Sequence, residues 1–80
     1  YFHLGALAQF SFNQPDSALF FYKKAVKVNP QHIPSYHNMG LLYEDRNDLS
    51  NALFSYAKAL KVDSTYQLSR DRVQVLRKKL

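Results

Sequence analysis

Three histidines, a cluster of carboxylates and a run of cations are the side chains of this sequence with chemistry to offer. His3, His32 and His37 supply imidazoles. A metal site needs ligands that converge at i, i+4 or a similar spacing, backed by a second shell, and these histidines do not provide that. Glu44, Asp45 and Asp48 surround a turn but lack the alternating oxygens and central glycine of a calcium loop, so capping and solvation account for them. Cysteine is absent, which removes thiolate nucleophiles, thiolate zinc and disulfides together. There is no glycine-rich phosphate loop, no nucleophile elbow and no carboxylate pair in an evident apolar pocket. The expectation is a protein that is not an enzyme and calls for no metal or cofactor. The cationic end, RDRVQVLRKKL from Arg70 to Leu80, could steer nucleic acid, anionic lipid or an acidic protein toward itself. It reads more simply as the charged outer face of a last helix, so nucleic acid is not the expected partner.

The elements that would position these groups are helices. Eighty residues make one small domain, which buries only about 60% of its unfolded surface, and its stability must come from regular packing. Hydrophobic residues are 46% of the chain, with six Tyr and six Phe, while two Gly and three Pro interrupt it little. ALFFYKKAVKV from Ala18 to Val28 returns as ALFSYAKALKV from Ala52 to Val62, with eight of eleven residues identical at an offset of 34. A period in this range marks stacked helical units. Apolar spacing predicts a first helix from Tyr1 to about Phe12. A turn at Asn13 to Asp16 precedes a second helix from Ser17 to Val28, with Asp16 as its cap. Pro30 ends that helix, and Pro34 opens a third that runs to Asp45. Asp48 caps a fourth from Leu49 to Val62, and a fifth occupies about Tyr66 to Leu80. Short turns force neighbouring helices to pack antiparallel.

Tyr36, Met39, Gly40 and Tyr43 form an aromatic, x2, Met-Gly, x2, Tyr pattern, matched in the first unit by Tyr1, Leu4, Gly5 and Ala8. The second helices carry Ala18, Tyr22 and Ala25, then Ala52, Tyr56 and Ala59, and Pro30 closes the first unit. This resembles the tetratricopeptide repeat, a 34-residue pair of helices. The resemblance implies an all-α solenoid: residues 1–30 as one unit, 31–64 as a second, and 65–80 as a capping helix or the start of a divergent third unit. Glycines would let backbones approach, with alanines and tyrosines filling the space beside them. The sequence departs from the pattern at Ala8, at Ser64 and at Gln74, which stands one repeat period after Gly40. Gly5 to Ala18 is also one residue longer than Gly40 to Ala52, which places an extra residue between Phe10 and Asp16.

The resemblance further implies a protein-interaction scaffold whose first helices line a concave groove for a peptide or an extended protein segment. The groove candidates are Phe2, His3, Ala6, Gln9 and Phe10, then His37, Asn38, Leu41, Glu44 and Asp45. Asp71, Arg72, Val75, Lys78 and Lys79 join them if the last helix keeps register. Some family members clamp a peptide's terminal carboxylate. Asn38 and Arg72 match two positions of that clamp, but Phe2, Ala6 and Leu68 stand where its other residues belong, so no clamp is expected, and Asn38 could simply serve hydrogen bonding between helices. A homo-oligomer is the alternative, since Tyr1, Phe2 and Leu4 open a first helix that no preceding unit covers. No apolar run is long enough for a membrane span, no leader precedes Tyr1, and the cysteine-free composition fits the cytoplasm or nucleus. A chain that begins on Tyr1 reads as an excerpt of a longer array.

Overall fold

Proline, asparagine and aspartate set the limits of the helices in the computed structural model, which describes residues 1–79. Leu80, the expected end of the fifth helix, lies outside the described residues. α1 (Phe2–Ala6) runs on into a π-helical turn over Leu7–Ser11. α2 (Pro15–Val28) has proline in its first turn, where the missing N–H leaves no bond unmade. It therefore starts two residues before the expected Ser17. Gln14 is its N-cap, and Asp16 does not cap it but pairs with Arg46. α3 (Ile33–Asp45) likewise takes Pro34 into its first turn. α4 (Leu49–Val62) begins on the expected cap, with Asp48 Oδ1 accepting from the Asn51 N–H at 3.4 Å and Oδ2 from Asn51 Nδ2 at 2.7 Å. α5 (Gln67–Lys79) follows a turn closed by Asp63, whose Oδ1 accepts from the Thr65 N–H at 3.0 Å and from its hydroxyl at 2.6 Å.

The extra residue of the first unit is taken up earlier than the sequence reading places it. Asn13 and Asn47, one repeat period apart, both turn the chain with left-handed φ of 50° and 60°. Asparagine tolerates that conformation better than most residues. At the second corner the Asp48 N–H donates to the Tyr43 carbonyl at 2.9 Å and the Asn47 N–H to the Glu44 carbonyl at 2.8 Å, a Schellman-type helix end. At the first corner the Gln14 N–H reaches one residue further, to the Ala8 carbonyl at 2.7 Å, and the Phe12 N–H donates to the Leu7 carbonyl at 3.0 Å. The corner is the same, so the insertion becomes a widened helical turn before it. Phe10 and Phe12 are left exposed beside that turn.

The glycine, alanine and tyrosine positions of the two units are packed together, but Tyr1 and Leu4, expected in the same packing, are exposed because no helix of the described residues lies against that side of α1. Tyr22 and Tyr56 are fully buried, each ring packed against a glycine of its own unit's first helix. A Cβ on Gly5 would meet Tyr22 Cε1 at 2.6 Å, and one on Gly40 would meet Tyr56 Cζ at 2.6 Å. Each such ring contributes about 2 to 3 kcal/mol of burial, and only a hydrogen can face it. Ala8, Ala18, Leu19, Tyr22, Met39 and Leu42 form one buried cluster, and Ala52, Tyr56 and Leu76 form a second. α5 lies on α4 as α3 lies on α2: Leu76 and Leu42, at equivalent places in successive units, are both buried, and so are Ser69 and Ser35. The fold is an all-α solenoid, and among the described residues it contains no strand.

Candidate functional site

A buried tyrosine hydroxyl must find a partner, and here that requirement links one unit to the next. Tyr22 Oη donates to Gln9 Oε1 at 2.6 Å on the first helix of its own unit and accepts from Asn38 Nδ2 at 3.3 Å on the first helix of the following one. One unit later, Tyr56 Oη donates to Glu44 Oε1 at 2.7 Å, and Arg72 Nε donates to the same oxygen at 2.9 Å. Arg72 Nη2 closes a fork on Glu44 Oε2. Glu44 stands to Gly40 as Gln9 stands to Gly5, and Arg72 follows Asn38 by one repeat period. The same link is therefore built twice, neutral between the first two units and charged between the second unit and α5.

The charges set the ionisation of this second link. Arg72 holds the Glu44 carboxyl below its usual range, chiefly through its hydrogen bond. Burial, reinforced by the bond to Glu44, raises the Tyr56 phenol, and burial raises that of Tyr22. The hydrogen bond to Glu44 raises the Arg72 guanidinium above its ordinary value. Glu44, Tyr56 and Arg72 therefore keep their ordinary charge at neutral pH, and so does Tyr22 in the first link.

A second repeated contact lies beside it. Phe2 packs on Tyr22 with ring centroids 5.8 Å apart and on His32 at 4.9 Å. His37, at the equivalent place, packs on Tyr56 at 5.3 Å and on Tyr66 at 5.7 Å. Its imidazole also meets α5, with Nδ1 2.9 Å from Ser69 Oγ. Phe2 has no such atom, and Ser35, the counterpart of Ser69, turns to His32 Nδ1 at 2.8 Å. Burial lowers the His37 pKa first, the nearby Arg72 charge lowers it further, and Glu44 opposes both.

Several groove candidates are thus used within the array. His37 is buried, which corrects its expected place on an open groove. Gln9, Asn38, Glu44 and Arg72 are spent on the hydroxyl links, Phe2 is half-buried on Tyr22, and Leu41 packs on the Ala52, Tyr56 and Leu76 cluster. Ala6 is half-buried, while His3, Phe10, Asp45, Asp71, Val75, Lys78 and Lys79 are exposed. His3 corresponds to Asn38 when the two glycines are aligned, so the histidines of the first helices are not structural counterparts. Sequence reasoning reached a hydrogen bond between helices at Asn38 but missed the rest of the links, although their signal was present. Two tyrosines at buried positions needed hydroxyl partners, and a Gln or Glu four residues after each glycine, with an Asn or Arg on the next helix, could supply them. Among the described residues no three His, Asp or Glu side chains converge as metal ligands. No described helix is long and apolar enough to cross a membrane.

Comparison with known proteins agrees with this architecture. Residues 1–32 and residues 21–54 each match a family model described as tetratricopeptide repeat. An uncharacterized protein, ycf37 of Guillardia theta, is 34% identical over 67 residues, a stretch that takes in 84% of this chain and 38% of that protein. The chain thus spans well under half the length of this relative. With its paired helices, its glycines under tyrosine rings and a repeat register that returns twice, the chain belongs to the tetratricopeptide repeat family.

Proposed function

We propose that this chain is a docking scaffold that holds an extended protein segment along the shared face of α1, α3 and α5. Repeats of this family generally mediate protein–protein interaction, and the family is a helical scaffold not typically enzymatic. One observation carries the finer reading: the hydroxyl links tie the three first helices side by side before any ligand arrives. A ligand meeting a preordered face loses less of its binding energy to ordering the protein. Ala6, Leu41 and Val75 hold equivalent positions on these helices, as do Asp45 and Lys79, with Phe10 in the widened turn at the same end of the first helix. The first set offers small apolar contacts, and the second runs from aromatic through acidic to basic. The fitting ligand is an extended segment with small apolar side chains and an acidic end laid toward Lys78 and Lys79. In the same reading residues 1–30 and 31–64 are the units, and 65–80 opens a third.

Selection of random displayed peptides on the purified chain tests this. The selected peptides should lose about tenfold in affinity against Asp45→Lys or Val75→Glu, both changes at exposed positions that leave thermal unfolding in place. Equal binding to those variants would show that the face is wrongly chosen. Self-association is a second reading, favoured by the exposed Tyr1, Leu4 and Leu7 on the first helix. A strictly monomeric mass in concentrated solution would dispose of it.

A further inference from the structure

The opposite side of the molecule, formed by α2 and α4, carries a second repeated arrangement that the groove does not use. Phe20 and Phe54, at equivalent places in the two units, are 55% and 62% exposed. A lysine lies over each ring, Lys24 Nζ 5.1 Å from the Phe20 centroid and Lys58 Nζ 5.3 Å from that of Phe54. Lys27 and Lys61 repeat one turn further on. α4 contains no carboxylate, and the one in α2, Asp16, is paired with Arg46. Among the described residues the ion pairs are Arg46 with Asp16 and Arg72 with Glu44, so the lysines of both helices are left without an anionic partner.

Between the two helices lies a hollow of about 330 Å³. Val26, Met39 and Tyr43 line it, Phe54 forms one wall, and Lys23 and Lys58 stand at its edge. Its volume exceeds that of a single aromatic or leucine side chain. A planar bilayer would meet the protruding rings and leave the recess behind them unfilled. A peptide can fill the recess with one side chain while its neighbours meet the lysines. We infer that the furrow between α2 and α4 is a docking site for an acidic protein segment, whose apolar side chain enters the hollow beside Phe54 and whose carboxylates pair with Lys23 and Lys58. This rests on the α2 and α4 surface, with α3 side chains only at the floor of the hollow, and does not depend on the reading of the α1, α3 and α5 face.

The probe is a short fluorescein-labelled peptide with one phenylalanine between two pairs of glutamates, followed by anisotropy and by amide shifts of the isotopically labelled chain. The site predicts saturable binding that weakens as salt rises, with shifts concentrated on α2 and α4 around Val26, Phe54 and Lys58. Phe54→Ala and Lys58→Glu should each weaken it about tenfold, and replacing the peptide's phenylalanine by alanine should do the same. Phe54 and Lys58 are exposed, so these variants should keep the fold, and circular dichroism checks that they do. Asp45→Lys, on the other face, should leave the affinity unchanged. Shifts confined to α1, α3 and α5 would overturn the inference and favour the groove instead. Equal binding by Phe54→Ala and Lys58→Glu, or binding of anionic phosphatidylserine vesicles without binding of the peptide, would also overturn it.

Discussion

Replacing Gly40 by alanine should destabilise this protein, although the same change in an exposed helix would strengthen it. Within a helix, alanine is favoured over glycine by about 1 kcal/mol, so a change judged by propensity alone raises stability. Here the new methyl would lie 2.6 Å from Tyr56 Cζ, well inside carbon contact distance. The ring cannot retreat, because it is fully buried and its hydroxyl is held by Glu44. Overpacking costs about 1 to 3 kcal/mol and occasionally more, and a contact this short against a buried ring belongs in the upper half, about 2 to 3 kcal/mol, so the net loss is about 1 to 2 kcal/mol after the helical gain. For a domain of this size that lowers Tm by about 5 to 15 °C. Thermal and urea unfolding followed by circular dichroism read it directly. The pair Gly40→Ala with Tyr56→Leu should lose less than the two single changes added together, since shortening the ring makes room for the methyl. A Gly40→Ala protein as stable as the parent, or more so, would refute the close packing of ring on glycine.

Other expectations follow from the same contacts. The His37 pKa is lowered on folding, so the unfolded chain takes up the proton first; stability should be full above about pH 6.5 and fall as pH drops through the folded value, and His37→Phe should flatten that slope in melts between about pH 7 and 5. Deleting Phe10 should convert the π-helical turn to an ordinary one without lowering Tm, because it restores the spacing of the second corner and removes an exposed ring; loss of cooperative melting would show the wide turn to be required. Asp48→Ala should cost about 1 kcal/mol as a lost cap, while Asp16→Ala, whose carboxylate forms an exposed pair, should cost less than about 0.5 kcal/mol by urea unfolding.

Much of this architecture could be read from residue types. Pro34, Asp48 and the turn at Asp63 place α3, α4 and α5 to within a residue or so, because capping and proline geometry are local effects. The burial of Ala18, Ala52, Tyr22 and Tyr56 also follows from the repeat. What escaped were effects decided between helices. Asp16 has the chemistry of a cap, but Pro15 can occupy the first turn, so the helix begins before it. The inserted residue could have widened the turn or the helix, and the shared corner at Asn13 and Asn47 decides for the helix. Gln9, Asn38, Glu44 and Arg72 read as groove residues because they follow the packing positions along the first helices. The buried hydroxyls of Tyr22 and Tyr56 draw them inward instead.

Hydrogen exchange of the α5 amides in Arg72→Ala against the parent chain tests most directly whether the polar links hold successive units together. The link predicts that α5 exchanges about tenfold faster in the variant while α2 keeps its protection, because only the contact between Arg72 and Glu44 is lost. Unchanged α5 protection, or a uniform loss across α2, α3 and α5, would contradict it.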